Sequence, residues 1–155
     1  MTADGTDTAV RFDSVCKQFG AEIHPTAHVH ASVRIWYPPN LVMKERACLG
    51  PGVNCYTMAE IFLGEGAIIS QGAHLCAGTH DIDDPNFQLV AKSISIGRNA
   101  WVAAEAFVGP GVVIGESAVL GARAVLFRSA EEWGVYVGNP AQLVRFRARN
   151  SESSC

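Results

Sequence analysis

Charge is scarce in this chain. Asp, Glu, Lys and Arg together make up 17% of its 155 residues, and 12 basic side chains against 15 acidic ones leave a net charge of −3. A basic face able to neutralise phosphates is therefore missing, which argues against a nucleic-acid partner. Aromatic residues are few, at 8%, and no apolar run approaches the ~20 residues needed to span a bilayer as a helix. The segment Met1 to Val10 holds two acids and no Lys or Arg, so it lacks the basic start of a secretory signal. Five cysteines (Cys16, Cys48, Cys55, Cys76 and Cys155) include no CxxC pair. Reduced thiols in a cytoplasmic protein are the expectation, with Cys48, Cys55 and Cys76 as apolar filler.

What the chain does have is 48% apolar residues, 15 glycines, and a period of six. Aliphatic or small residues recur at Ile23, Val29, Ile35, Leu41, Ala47 and Val53, then at Leu63, Ile69 and Leu75, then at Ile96, Val102, Val108, Ile114, Leu120 and Leu126. Small or β-branched residues follow four positions later, among them Ala27, Ala67, Ala73, Ala100, Ala106, Ala118 and Ala124. Neither a helix of period 3.6 nor a strand of period two repeats in this way. A triangular coil does: three short strands per 18-residue turn each send one aliphatic side chain inward, and residue n lies over residue n+18 at one strand spacing of about 4.8 Å. A single turn cannot bury its own apolar side, so the core exists only as a stack.

The expected fold is thus all-β, a left-handed parallel β-helix over 23–131 with about five coils at 23–40, 41–62, 63–80, 96–113 and 114–131. Ile23 is expected over Leu41 and Ile35 over Val53. Two interruptions break the count. From Val53 to Leu63 is four residues too many, which places an insertion near Met58 to Phe62. From Leu75 to Ile96 is fifteen too many, which sends residues 81–95 out as a long loop. Long excursions from a regular body usually serve function. Residues 1–10 are expected to be disordered, 11–22 to cap the open top with a short helix, 132–149 to form a strand and a basic C-terminal helix, and 150–155 to be a loose tail.

Of the five histidines, His24, His28 and His30 read as surface residues and His74 as a packing residue. His80 ends the third coil where the loop departs, a position suited to a general base acting on an alcohol, or equally to a solvated side chain.

The stretches from Ile69 to Asp81 and from Ile96 to Val112, with the closing Val137-Gly138-Asn139-Pro140-Ala141, resemble hexapeptide-repeat acetyltransferases, particularly those that O-acetylate colanic-acid and other exopolysaccharide sugars. The resemblance implies a homotrimer with sites between subunits, acetyl-CoA as co-substrate, no required metal, and a sugar or polysaccharide-precursor acceptor. It makes His80 the catalytic base, with Asp81 either orienting it or a solvated loop acid. It assigns acetyl-CoA binding to Trp101, Ala104, Gly121, Ala122, Arg128 and Arg145, joined by Arg123 and Arg147. Tyr56, Thr57 and Phe87 fall to the acceptor pocket, where Thr57 stands in place of the family's asparagine. The alternatives are a small-sugar or xenobiotic acceptor, a metal-dependent hydratase on the same scaffold, and a purely structural β-helix.

Overall fold

The computed structural model describes residues 14–149. Its strands come in threes. Coil one holds β1 (Glu22–Ile23), β2 (His28–Val29) and β3 (Arg34–Ile35); coil two holds β4 (Leu41–Met43), β5 (Cys48–Leu49) and β6 (Asn54–Tyr56); coil three holds β7 (Ile61–Leu63), β8 (Ile68–Ile69) and β9 (His74–Cys76). A hairpin of β10 (Gly78–His80) and β11 (Leu89–Ala91) interrupts. Coil four then holds β12 (Ile94–Ile96), β13 (Trp101–Val102) and β14 (Phe107–Val108), and coil five holds β15 (Val113–Ile114), β16 (Val119–Leu120) and β17 (Val125–Leu126). The chain closes with β18 (Gly134–Val137) and β19 (Gln142–Phe146). The first, second and third strands of successive coils pair in parallel into three sheets, the walls of a triangular solenoid. Ala130, bridged to Ile114, and β18, paired to β16, open a sixth turn.

The inner surface explains the composition. Ile23, Met43, Leu63, Ile96 and Ile114 stack on the first wall, each almost fully buried, and Val29, Leu49, Ile69, Val102 and Leu120 on the second. Ala27, Ala47, Ala67, Ala100 and Ala118 precede the second wall in every coil, all buried, where the chain turns a corner too tight for longer side chains. Gly97 shows how close adjacent coils run: a Cβ there would lie 2.8 Å from the backbone nitrogen of Glu116.

The chain follows the expected period from Ile96 to Leu126, with Ile96 on Ile114, Val102 on Leu120 and Val108 on Leu126; beyond it the coil shortens, Ile114 bridging to Ala130 and Leu120 pairing with Tyr136. The upper coils differ. Ile23 pairs with Met43 rather than Leu41, and Ile35 with Cys55 rather than Val53. The four extra residues expected near Met58 to Phe62 are in fact two pairs. One lies in coil one, where Pro38–Asn40 forms a 3-10 turn, and the other lies in coil two, between Tyr56 and Ile61. Both leave the corner between the third and first walls, and so does the hairpin of coil three. That corner is lined inside by Leu41, Ile61 and Ile94 where the other corners hold alanine or valine.

The ends bring a second correction. Residues 142–146 form a strand where a helix was expected, antiparallel to β18. The last coil would otherwise leave β18 as an open edge of unpaired N–H and C=O groups, and Leu143, Val144 and Phe146 are β-forming residues able to pair with it. At the top, residues 14–18 are helical and Cys16 is buried, whereas Val15 and Phe19 stay exposed; Phe12 lies outside the described residues, as do the segments expected to be disordered or loose at 1–10 and 150–155. No helix among the described residues is long and apolar enough to cross a membrane.

Candidate active site

The hairpin carries His80. Its root is pinned to the solenoid: the Ala77 N–H donates to the Tyr56 carbonyl, and the Lys92 N–H to the Ala77 carbonyl. From there Gly78 pairs with Ala91, Thr79 with Val90 and His80 with Leu89, so His80 stands at the far end of the ladder, exposed. The tip folds back by Asx turns, in which Asp81 Oδ1 accepts the Asp83 N–H and Asp84 Oδ1 the Asn86 N–H. Phe87 then adopts a left-handed φ of 51°. This turns its carbonyl onto His80 Nδ1 at 2.7 Å, while its ring stacks on the imidazole at 4.7 Å and 13°.

A carbonyl only accepts, so Nδ1 carries a proton, and in the neutral ring the lone pair lies on Nε2. The hydrogen bond and the stacked ring together hold the imidazole in one orientation, with Nε2 facing away from the Phe87 carbonyl. Asp81, expected as a possible orienting group, directs its carboxylate to the loop backbone instead, and the Phe87 main chain does the orienting. Sequence reasoning missed this because a carbonyl belongs to every residue; only the positive φ singles it out, and Phe gives no hint of one.

A group of aromatic side chains lies beside this strand. The Trp36 and Tyr56 rings meet edge to face at 5.3 Å, and the Trp36 indole N–H donates to Asn54 Oδ1 at 2.8 Å. Tyr56 in turn packs on β10: a Cβ on Gly78 would sit 2.9 Å from Tyr56 Cε1. Thr57 behaves differently from the acceptor-pocket expectation. It is fully buried, its hydroxyl accepts the Tyr37 N–H at 2.7 Å, and its carbonyl accepts from Asn40 Nδ2. Thr57 therefore ties the two short insertions together from inside the fold.

The second wall carries a groove of about 480 Å³ with a floor of Ile68, Trp101, Val119 and Val135 and a polar rim of Asn99, Arg145 and Arg147. The Trp101 indole N–H donates to Ser70 Oγ at 2.9 Å, which anchors a half-exposed ring in the groove. Arg147 donates to the Ser117 carbonyl at 3.0 Å. Of the positions expected to bind acetyl-CoA, Trp101 and Arg145 line this groove. Ala104, Gly121 and Ala122 form its bordering corner, with the Arg123 N–H donating to the Ala104 carbonyl and the Arg123 side chain paired to Glu105 at 2.6 Å. Arg128 follows β17 at the far corner, away from the groove.

Other titratable groups lie apart. His74 sits on the outer face of the third wall against Phe107, its Nε2 buried without a hydrogen-bond partner, and burial holds its pKa below the ordinary value. Burial pushes the Cys55 thiol up to about 12, which makes it inert.

Comparison with known proteins agrees with this architecture. The family model described as bacterial transferase hexapeptide (six repeats) matches residues 93–128. The chain is 42% identical over 129 residues to the "Putative colanic acid biosynthesis acetyltransferase WcaF" of Escherichia coli, covering 83% of this chain and 71% of that one. A maltose O-acetyltransferase from Clostridium difficile superposes with a TM-score of 0.78 at 21% identity, over 88% of this chain and 75% of that one. A hexapeptide-repeat acetyltransferase of Vibrio cholerae complexed with acetyl coenzyme A superposes with a TM-score of 0.79 at 17% identity, over 94% and 79%. Solenoid, repeat and sequence identity agree: the chain belongs to the hexapeptide-repeat acetyltransferase family and is an acyltransferase.

Proposed function

We propose that this enzyme transfers an acetyl group from acetyl-CoA to a sugar hydroxyl in exopolysaccharide biosynthesis, in the cytoplasm, with His80 as general base and with sites formed between the subunits of a homotrimer. The observation that carries the reading is the fixed imidazole, with Nδ1–H committed to the Phe87 carbonyl and Nε2 open at an exposed hairpin end.

His80 Nε2 takes the hydroxyl proton as the sugar oxygen attacks the thioester carbonyl. The tetrahedral oxyanion is held by a backbone N–H of the coil wall and collapses with loss of the CoA thiolate, which recovers the proton from the imidazolium. The step is direct, with no acyl-enzyme. The groove on the second wall suits the donor: its apolar floor with Trp101 accepts a pantetheine arm, and Arg145 and Arg147 face the phosphates. The relative from Escherichia coli, whose name gives colanic acid biosynthesis, supports the sugar acceptor.

The trimer has its own support. The corner that carries His80 joins the third wall to the first, so it is the corner opposite the second wall and its groove. Base and donor groove meet only if a second chain brings its groove to this hairpin. The exposed Ile82, Phe87 and Leu89 give the hairpin an apolar surface for that neighbour.

The test is His80→Ala. Turnover should fall at least a hundredfold, in line with the ~10²–10⁴ supplied by a general base, while acetyl-CoA affinity by calorimetry and the sedimentation coefficient stay those of the parent. Undiminished turnover would remove His80 as the base.

A further inference from the structure

We infer that Trp36 and Tyr56 form a second saccharide subsite, so that the acceptor is a chain of linked sugars rather than a single ring; this rests on the sugar-acceptor reading above. Residues two apart on a strand project from the same side. Gly78 and His80 are so related on β10, and the space a Gly78 side chain would fill is taken by the Tyr56 ring. The aromatic pair therefore lies on the side of β10 toward which His80 projects. Trp36 and Tyr56 occupy the equivalent corner position in coils one and two, below the coil that launches the hairpin. Two strand spacings, about 10 Å along the axis, separate the Trp36 layer from the layer where the hairpin departs. That span is longer than one pyranose ring.

The platform is rigid and open. Asn54 holds the indole N–H, the Tyr56 edge holds the ring plane, and Pro38 and Pro39 stiffen the chain that follows. Trp36 is nonetheless 59% exposed, and a shallow groove of about 470 Å³ runs along Val33, Arg34, Ile35 and Trp36. A large ring anchored at its one polar atom, with its faces in solvent, spends nothing on packing the core. Its electron-rich face suits the C–H face of a pyranose, and because the ring is already ordered, little entropy is lost on stacking.

The test uses the full chain with acetyl-CoA and three acceptor sets: methyl glycopyranosides of glucose, galactose and fucose, and the di- and trisaccharides built from each. The parent should show a KM about tenfold lower for the trisaccharide of the accepted sugar than for its methyl glycoside. Trp36→Ala should abolish that preference, Trp36→Phe should retain most of it, and Phe127→Ala, removing an equally exposed ring in coil five, should leave it intact. Equal KM for one ring and three in the parent would overturn the subsite while leaving acetyl transfer to sugars standing. Dissociation of the oligomer by Trp36→Ala would overturn it too, marking the ring as a subunit contact. Acetyl-CoA binding without transfer to any saccharide would overturn both readings together.

Discussion

Coils four and five and the third-to-first corner of coils one to three are made by the same rule and put to opposite uses. In coils four and five no corner carries an insertion, and Ile96, Val102, Val108, Ile114, Leu120 and Leu126 simply stack. In the first three coils one corner is loosened each time, by a 3-10 turn, by two extra residues and by a hairpin. Everything in the candidate acceptor site, Trp36, Tyr56, Phe87 and His80, hangs from that loosened corner. A solenoid can afford this, because each coil rests only on its neighbours and an insertion at a corner leaves the walls in register.

The two regions should therefore fail differently. The largest effect expected is in the regular region. Leu120 is 1% exposed in the middle of the second wall, so Leu120→Ala should cost about 3 kcal/mol, within the 2–5 typical of a buried Leu truncation. Denaturant titration at fixed subunit concentration measures it, and turnover of the folded fraction should hardly change. A loss under about 1 kcal/mol would mean that the core is not the close-packed stack described.

The corner should respond the other way. Phe87→Pro forces φ to about −65° where the fold needs 51°, so the carbonyl leaves His80 Nδ1. Turnover should drop about tenfold or more, equivalent to about 1.4 kcal/mol in the barrier, with the denaturation midpoint close to that of the parent. Phe87→Gly keeps the left-handed φ and the carbonyl and removes only the stacked ring, so it should lose less. Equal losses in the two variants would assign the orienting role to the ring.

How far this was legible beforehand follows from the physics of each part. The walls could be read because an inward side chain every sixth residue has no other structural source, and Ile96 to Leu126 repeat without a fault. The upper register slipped by two residues for a definite reason. Leu41 and Met43 are both apolar and both buried in β4, and a shift of two along a strand returns every side chain to the same face. Hydrophobic pattern therefore distinguishes one-residue slips and is blind to two-residue ones. His80 was visible where the loop departs from the repeat, and Trp101 through the family resemblance. The Phe87 carbonyl and the hidden Thr57 hydroxyl were not, since the first has no residue identity and the second depends on how two insertions meet. The C-terminal strand was missed because its cause, the open edge of β18, exists only once the solenoid is built.

The smallest effect concerns a residue that belongs to neither use. His74 occupies the third wall between Asn54 and Phe107, and its Nε2 is buried with no partner. Burial favours the neutral ring, so its pKa in the folded protein lies below the ordinary ~6.5 it regains on unfolding. Between the two values the unfolded chain binds more protons, and stability must rise with pH there. The contribution is fully present above about pH 6.5 and is lost as the pH falls from there toward the lowered folded value. Melting temperature should thus decline slightly from pH 7 to pH 5, and His74→Phe, which keeps a ring against Phe107 and has nothing to protonate, should flatten that part of the profile. Glu45 does not confuse the measurement: a backbone hydrogen bond, with His24, Lys44 and Arg46 nearby, lowers its pKa, so its contribution is lost only at more acid pH. A wild-type and His74→Phe pair with parallel profiles between pH 7 and pH 5 would show that the third wall bears no acid-sensitive group, and that the orphaned nitrogen finds a partner in the assembled protein.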